Sequence, residues 1–152
     1  MFEIWQAGVN AVLPEPLITS RICLETASQK TVIHTPDKSY DIPPHGRVIV
    51  VGMGKASARM AQALEKILSP LISENRLSGW VNVPEDQVVP LRAIHLHGAR
   101  PAGVNEPTEA GVLGSRKIVE LLQSLTPDDL AICLVSGGGS ALLPLPVPEI
   151  TL

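Results

Sequence analysis

Two aliphatic runs, each opening directly into a glycine-rich turn, restrict the folds available to this chain more than any other feature. Val48-Ile49-Val50-Val51 leads into Gly52-Met53-Gly54, and Leu130-Ala131-Ile132-Cys133-Leu134-Val135 leads into Ser136-Gly137-Gly138-Gly139-Ser140. A continuous apolar run, without alternation of polar residues, is what a strand covered on both faces of a parallel sheet requires. Behind the first turn comes a segment rich in helix formers, with Met60, Leu64, Ile67, Leu68 and Leu71 on one face and Pro70 near its end. Strand, glycine turn and helix make one α/β unit, and their alternation predicts an open, mostly parallel α/β sheet with flanking helices.

The other segments fit around this frame. Phe2, Trp5, Val9, Val12 and Leu13 recur at helical spacing until Pro14 and Pro16 interrupt it, and Leu17, Ile18, Ile22 and Leu24 continue the pattern, so two short helices are expected. Residues 31–34 read as a strand, and the segment with Pro36, Pro43, Pro44 and Gly46 reads as a loop. Further strands are expected at 79–83 and 93–97, separated by a turn holding Pro84, Glu85, Asp86 and Pro90. A loop over 98–107 then leads to a helix over 108–125 that buries Val112, Leu113, Ile118, Leu121 and Leu122, with Gly111 and Gly114 as weak points. Asp128-Asp129 reads as a solvated turn, and Cys133 as a small core residue.

Composition narrows the function. With 45% hydrophobic and 18% charged residues, 152 residues suffice for a real core. A net charge of -3 and 3% aromatics supply neither the basic surface nor the stacking platforms of a nucleic-acid binder. The start lacks a signal-peptide layout and the apolar runs fall far short of about 20 residues, so a soluble cytoplasmic protein with no membrane partner is expected. Cys23 and Cys133 lie far apart, and His95 and His97 share a strand face without a third ligand nearby, so neither a disulfide nor a metal site is expected.

In open α/β sheets ligands bind beyond the carboxyl ends of the strands, where both glycine turns fall. Within Ser136-Gly137-Gly138-Gly139-Ser140, missing side chains let backbone N–H groups converge on an anion, and two hydroxyls add donors; a tight turn requiring positive φ is the plainer alternative. Lys55 follows Gly54 at a helix start, where its charge opposes the positive end of the macrodipole, as suits a residue placed for a phosphoryl group; a solvated surface lysine is the plainer alternative. The turn is not a P-loop, since Ala56 follows Lys55 and Ile49 stands where the first glycine belongs. Gly52-x-Gly54 supplies half of a dinucleotide fingerprint, whose third position holds Ser57. Arg100, in the 98–107 loop, either clamps a carboxylate or sits in a plain connection.

On these motifs, Val50-Val51-Gly52-Met53-Gly54-Lys55-Ala56-Ser57, the segment around Arg100-Pro101 and 105–111, and Asp128-Asp129-Leu130 through Leu143, the chain resembles the N-terminal region of type II glycerate 2-kinases, also labelled hydroxypyruvate reductases. The resemblance covers nearly the whole chain. It implies ATP-dependent phosphorylation of D-glycerate at the 2-hydroxyl, with Mg²⁺, between a Rossmann-like domain and a second domain. Lys55 takes the place of the family's catalytic lysine, while Gly52, Gly54, Ser57, Arg100, Ser136, Gly137, Gly138, Gly139 and Ser140 are the expected substrate- or nucleotide-binding residues. Arg100-Pro101 stands where the family usually has His-Pro. Family members are longer, so the chain is expected to be a partial domain that lacks the family's catalytic arginine and does not act alone. Two other classes are open: an NAD-dependent oxidoreductase of a small hydroxy acid, for which Glu74 and Glu85 are poorly placed, and a non-catalytic anion-binding or interaction module, with homo-oligomerisation a possible outcome.

Overall fold

The computed structural model describes residues 2–27 and 30–152. It opens with helices α1 (Phe2–Ala11) and α2 (Pro14–Thr19), followed by strands β1 (Cys23–Ala27), β2 (Lys30–His34) and β3 (Ser39–Ile42) in an antiparallel sheet of order β1-β2-β3. Pro14 starts α2, because its fixed φ suits a first helical turn that has no use for its missing N–H. The second apolar segment is divided, and Leu24 lies in β1 opposite Ile33. The expected 36–46 loop contains β3, in which Ile42 is buried and Tyr40 half-buried while Ser39 and Asp41 face water, the alternation of a half-covered strand.

The principal sheet follows. In chain order its elements are β4 (Val48–Met53), α3 (Ser57–Ile67), α4 (Ser69–Ser73), β5 (Leu77–Pro84), a 3-10 turn (Glu85–Gln87), β6 (Ile94–Arg100), α5 (Glu109–Gln123), β7 (Leu130–Val135) and a 3-10 turn (Ser140–Leu142). The four strands are parallel, in the order β6-β5-β4-β7. Central β4 shows why its run is unbroken: Val48 and Val50 pack with Ala58, Ala61 and Leu64 of α3 and with Ile33 and Ile42 of the small sheet, while Ile49 and Val51 face Ile118 of α5. Burying each such side chain contributes about 1.5–3 kcal/mol. The expected single helix after Gly54 is two, broken at Leu68, with Pro70 in the first turn of α4. No helix among the described residues is long and apolar enough to cross a membrane.

Helix α5 forms nearly as expected, with Thr108 as N-cap accepting from the Gly111 N–H at 3.1 Å. Its inward face differs: Val112 and Ile118 are buried, whereas Leu113 and Leu122 are exposed. The inward positions belong instead to Gly111 and Gly114, which bring the helix backbone onto the sheet. A Cβ on Gly114 would overlap the Asn82 side-chain amide, and one on Gly111 would meet the Pro144 ring at 2.9 Å.

β7 is not fully buried. Leu134 faces the core, but Ala131, Cys133 and Val135 are exposed, because among the described residues β7 pairs only with β4 and no element covers its second face. Cys133 is therefore a surface thiol, as is Cys23. Asp129, expected in solvent, has a side chain only 2% exposed and acts as a clasp. It accepts from the Arg47 amide at 2.7 Å, from Arg47 Nη2 at 2.7 Å and from the Thr126 amide at 2.9 Å, tying the starts of β4 and β7 together.

The Arg47 side chain, more than the flanking amides, holds the Asp129 carboxyl well below the usual carboxylate range. A depressed folded-state pKa contributes stability fully above the unfolded value, near 3.9, and loses it as pH falls toward the folded value. Asp129→Asn is accordingly expected to cost about 2–3 kcal/mol at pH 7, less than a fully enclosed pair because Arg47 is 39% exposed. Thermal midpoints measured from pH 7 down to 2 should show this gap closing below about pH 4. A gap independent of pH would refute the clasp.

Candidate active site at the strand ends

The sheet order places β5 on one side of β4 and β7 on the other, so the winding direction reverses between β4 and β7. The carboxyl ends beside such a reversal leave a crevice that no connection crosses. Both glycine turns open there. β4 runs on through Gly52 and Met53, and the turn begins at Gly54. Gly52 pairs with Leu134, whose backbone a Cβ would overlap, so its lack of a side chain permits close pairing of the strands. Gly54 has φ +132°, a conformation that side chains strain to adopt.

Hydrogen bonds join the turns. The Ser136 N–H donates to Met53 O at 3.1 Å, and the Lys55 N–H donates to Gly137 O at 3.1 Å. Ser136 Oγ accepts from the Ala56 N–H at 3.0 Å and lies 3.1 Å from Ser57 Oγ, which donates to Met53 O at 2.8 Å. These two hydroxyls hold the turns together, and Ser57 is fully buried.

Other groups remain available. The amides of Gly137, Gly138, Gly139, Ser140 and Ala141 donate to no described residue, and φ reverses from +79° at Gly138 to -69° at Gly139, the kind of alternation from which anion-binding backbone nests are built. The aliphatic stem of Lys55 runs beside Gly138, where a Cβ would sit 3.1 Å from Lys55 Cε. The exposed Lys55 ammonium has no ion-pair partner among the described residues.

Arg100 lies in β6, not in the expected loop: the ladder extends past His97 to pair Arg100 with Pro84 before Pro101, which lacks an N–H, follows. It is 2% exposed, and its Nε has no hydrogen-bond partner. Arg100 and Lys55 line one cleft of about 300 Å³, together with Pro84, Asp86, Gln87, Gly103 and Asn105. Leaving a buried donor unpaired costs about 1–3 kcal/mol, so this guanidinium detracts from stability where it stands.

Asn82 carries no expectation from sequence. Fully buried in β5, it accepts from the Gly54 N–H through its backbone carbonyl at 3.2 Å and donates from Nδ2 to Leu142 O at 2.8 Å, bracing both turns. Its signal is a lone amide inside an apolar strand. His95 and His97 flank Trp80, with ring centroids 4.1 and 5.1 Å from it, and His97 Nε2 donates to Ala110 O at 2.8 Å. Burial, then the neighbouring His97, lowers the His95 pKa. The described residues include no cluster of three His, Cys, Asp or Glu side chains able to hold a metal. Glu74 stands at the entry end of β5, paired with Arg76 at 2.8 Å, and Glu85 leaves β5 in the 3-10 turn. Neither completes a dinucleotide site.

Fold and site together define a doubly wound α/β protein with a cation and a glycine cradle at its switch point. The chain belongs, over residues 1–152, to the family described as a domain of unknown function (DUF4147), the N-terminal region of type II glycerate kinases. It is 31% identical to glycerate kinase from Bos taurus over 165 residues, covering 99% of this chain and 29% of that protein. It is 40% identical to a putative hydroxypyruvate reductase from Agrobacterium vitis over 110 residues, 72% of this chain and 23% of that protein. The crystal structure of a Pyrococcus horikoshii OT3 protein superposes with a TM-score of 0.78 at 27% identity, over 99% of this chain and 31% of that one. The chain thus spans less than a third of each relative's length.

Proposed function

We propose that this chain forms the N-terminal, Rossmann-like part of a two-domain enzyme that transfers the γ-phosphoryl group of ATP to the 2-hydroxyl of D-glycerate. The apposition of Lys55 with the glycine turn carries this reading: the stem of a lysine without an ion-pair partner among the described residues runs beside Gly138, in a turn whose amides are unpaired. The reaction forms a bond from the hydroxyl oxygen to the γ-phosphorus, breaks the bond to ADP and releases the hydroxyl proton. Little of this needs covalent help from the protein, so positioning and charge stabilisation supply most of the acceleration. The Lys55 ammonium opposes negative charge on the transferring phosphoryl oxygens, and the cradle amides hold the nucleotide phosphates without moving as charge shifts. Gly54, Ser57 and Ser136 fix the two turns against each other.

Mg²⁺ neutralises nucleotide phosphates when bound and needs only one or two carboxylates besides phosphates and water. Asp86 is the carboxylate on this cleft. The names of the glycerate kinase relatives support the substrate assignment.

Incubating the complete gene product with ATP, Mg²⁺ and D-glycerate should yield ADP and 2-phosphoglycerate, identified by ³¹P NMR. Glycerate-independent ATP turnover, or NADH consumption with hydroxypyruvate in its place, would overturn the proposal.

A further inference from the structure

We infer that Arg100 is the carboxylate anchor of the site and so makes it select a small hydroxy acid over a neutral polyol. This rests on the phosphotransfer reading and assigns one substrate group within it. Arg100 is 2% exposed, its Nε is enclosed without a partner, and its guanidinium makes neither a hydrogen bond nor an ion pair with any described residue. A nearly buried cation with an enclosed, unpaired donor is a poor structural element, since an apolar side chain of the same shape would avoid that cost. Its planar fork matches two carboxylate oxygens, a geometry that an ammonium group cannot offer.

The surroundings fit the same ligand. Gln87 and Asn105 line the cleft with amides suited to hydroxyl groups, and Lys55 lines it as well. A carboxylate on Arg100 leaves the adjacent hydroxyl free to face Lys55 and the phosphoryl group. At about 300 Å³ the cleft lies at the small end of ligand pockets, which run from about 300 to 1,000 Å³, and suits a three-carbon acid better than a nucleotide. The 136–140 cradle is thereby left to the nucleotide phosphates. Asp86, also on the cleft, is exposed and not paired with Arg100, so it leaves the guanidinium free for a ligand.

The test compares wild type, Arg100→Lys and Arg100→Met in the complete gene product. With D-glycerate, KM should rise by about tenfold or more in Arg100→Met while KM for ATP holds, because charge-assisted bidentate contacts are lost. Glyceramide, which lacks the carboxylate charge, should bind wild type and Arg100→Met alike. In the absence of ligand, Arg100→Met should melt at or above the wild-type temperature, and D-glycerate should raise the midpoint of wild type more than that of Arg100→Met. Arg100→Lys, which keeps the charge but not the fork, should fall between the two.

A rise in the KM for ATP alone, or equal stabilisation of all three proteins by glycerate, would overturn the assignment. Carboxylate stabilisation that depends on Arg100 without any phosphoryl transfer would instead retain the anchor and reject the kinase reading.

Discussion

Replacing Lys55 by alanine is expected to lower kcat for glycerate phosphorylation by about 10²–10³-fold, the usual loss when one fixed group opposing transition-state charge is removed. The effect should appear in kcat more than in KM, because charge on the phosphoryl oxygens is redistributed most strongly in the transition state. Stability should change by less than about 0.5 kcal/mol, since Lys55 is exposed and pairs with no described carboxylate. Steady-state kinetics alongside thermal melts separate the two quantities. Wild-type turnover in Lys55→Ala would remove the residue from the mechanism.

The second large effect is structural. Gly54→Val is expected to cost about 4–5 kcal/mol, at the upper end for a single substitution, and to abolish activity in whatever protein still folds. Two penalties combine. The backbone at φ +132° suits only glycine, and a Cβ there would overlap the Ser136 hydroxyl and sit 2.6 Å from the Ser136 carbonyl oxygen. Gly103 provides the control: it also has positive φ, +77°, but a Cβ would meet nothing within 4 Å, so Gly103→Ala should cost only about 1 kcal/mol of backbone strain. Chemical denaturation of the two variants tests the difference, and equal losses would disprove the clash.

Legibility in the sequence followed the range of the interactions involved. Val48 to Val51 announces a strand covered on both faces because local hydrophobicity alone encodes it, and each glycine turn is legible because it closes an apolar run. β3 was hidden: with only Tyr40 and Ile42 facing inward between prolines, its pattern is too short to separate from loop until β2 supplies a partner. Asp129 looked like a turn residue because Arg47, the group that buries it, lies 82 positions away. Cys133 sits in an apolar run that suggested a core, yet exposure depends on strand order, which no local pattern records. Arg100 looked like part of a loop, and only pairing with β5 drew it into the sheet and exposed its unmet donor.

The reciprocal bonds from Ser136 N–H to Met53 O and from Lys55 N–H to Gly137 O make the two turns a single mechanical part, although they stand some 80 residues apart in the chain. Neither can be redesigned in isolation. A loop grafted from a relative at one strand end would arrive without its counterpart, so altering nucleotide preference by segment exchange calls for moving both turns together, along with Asn82, which braces them from below.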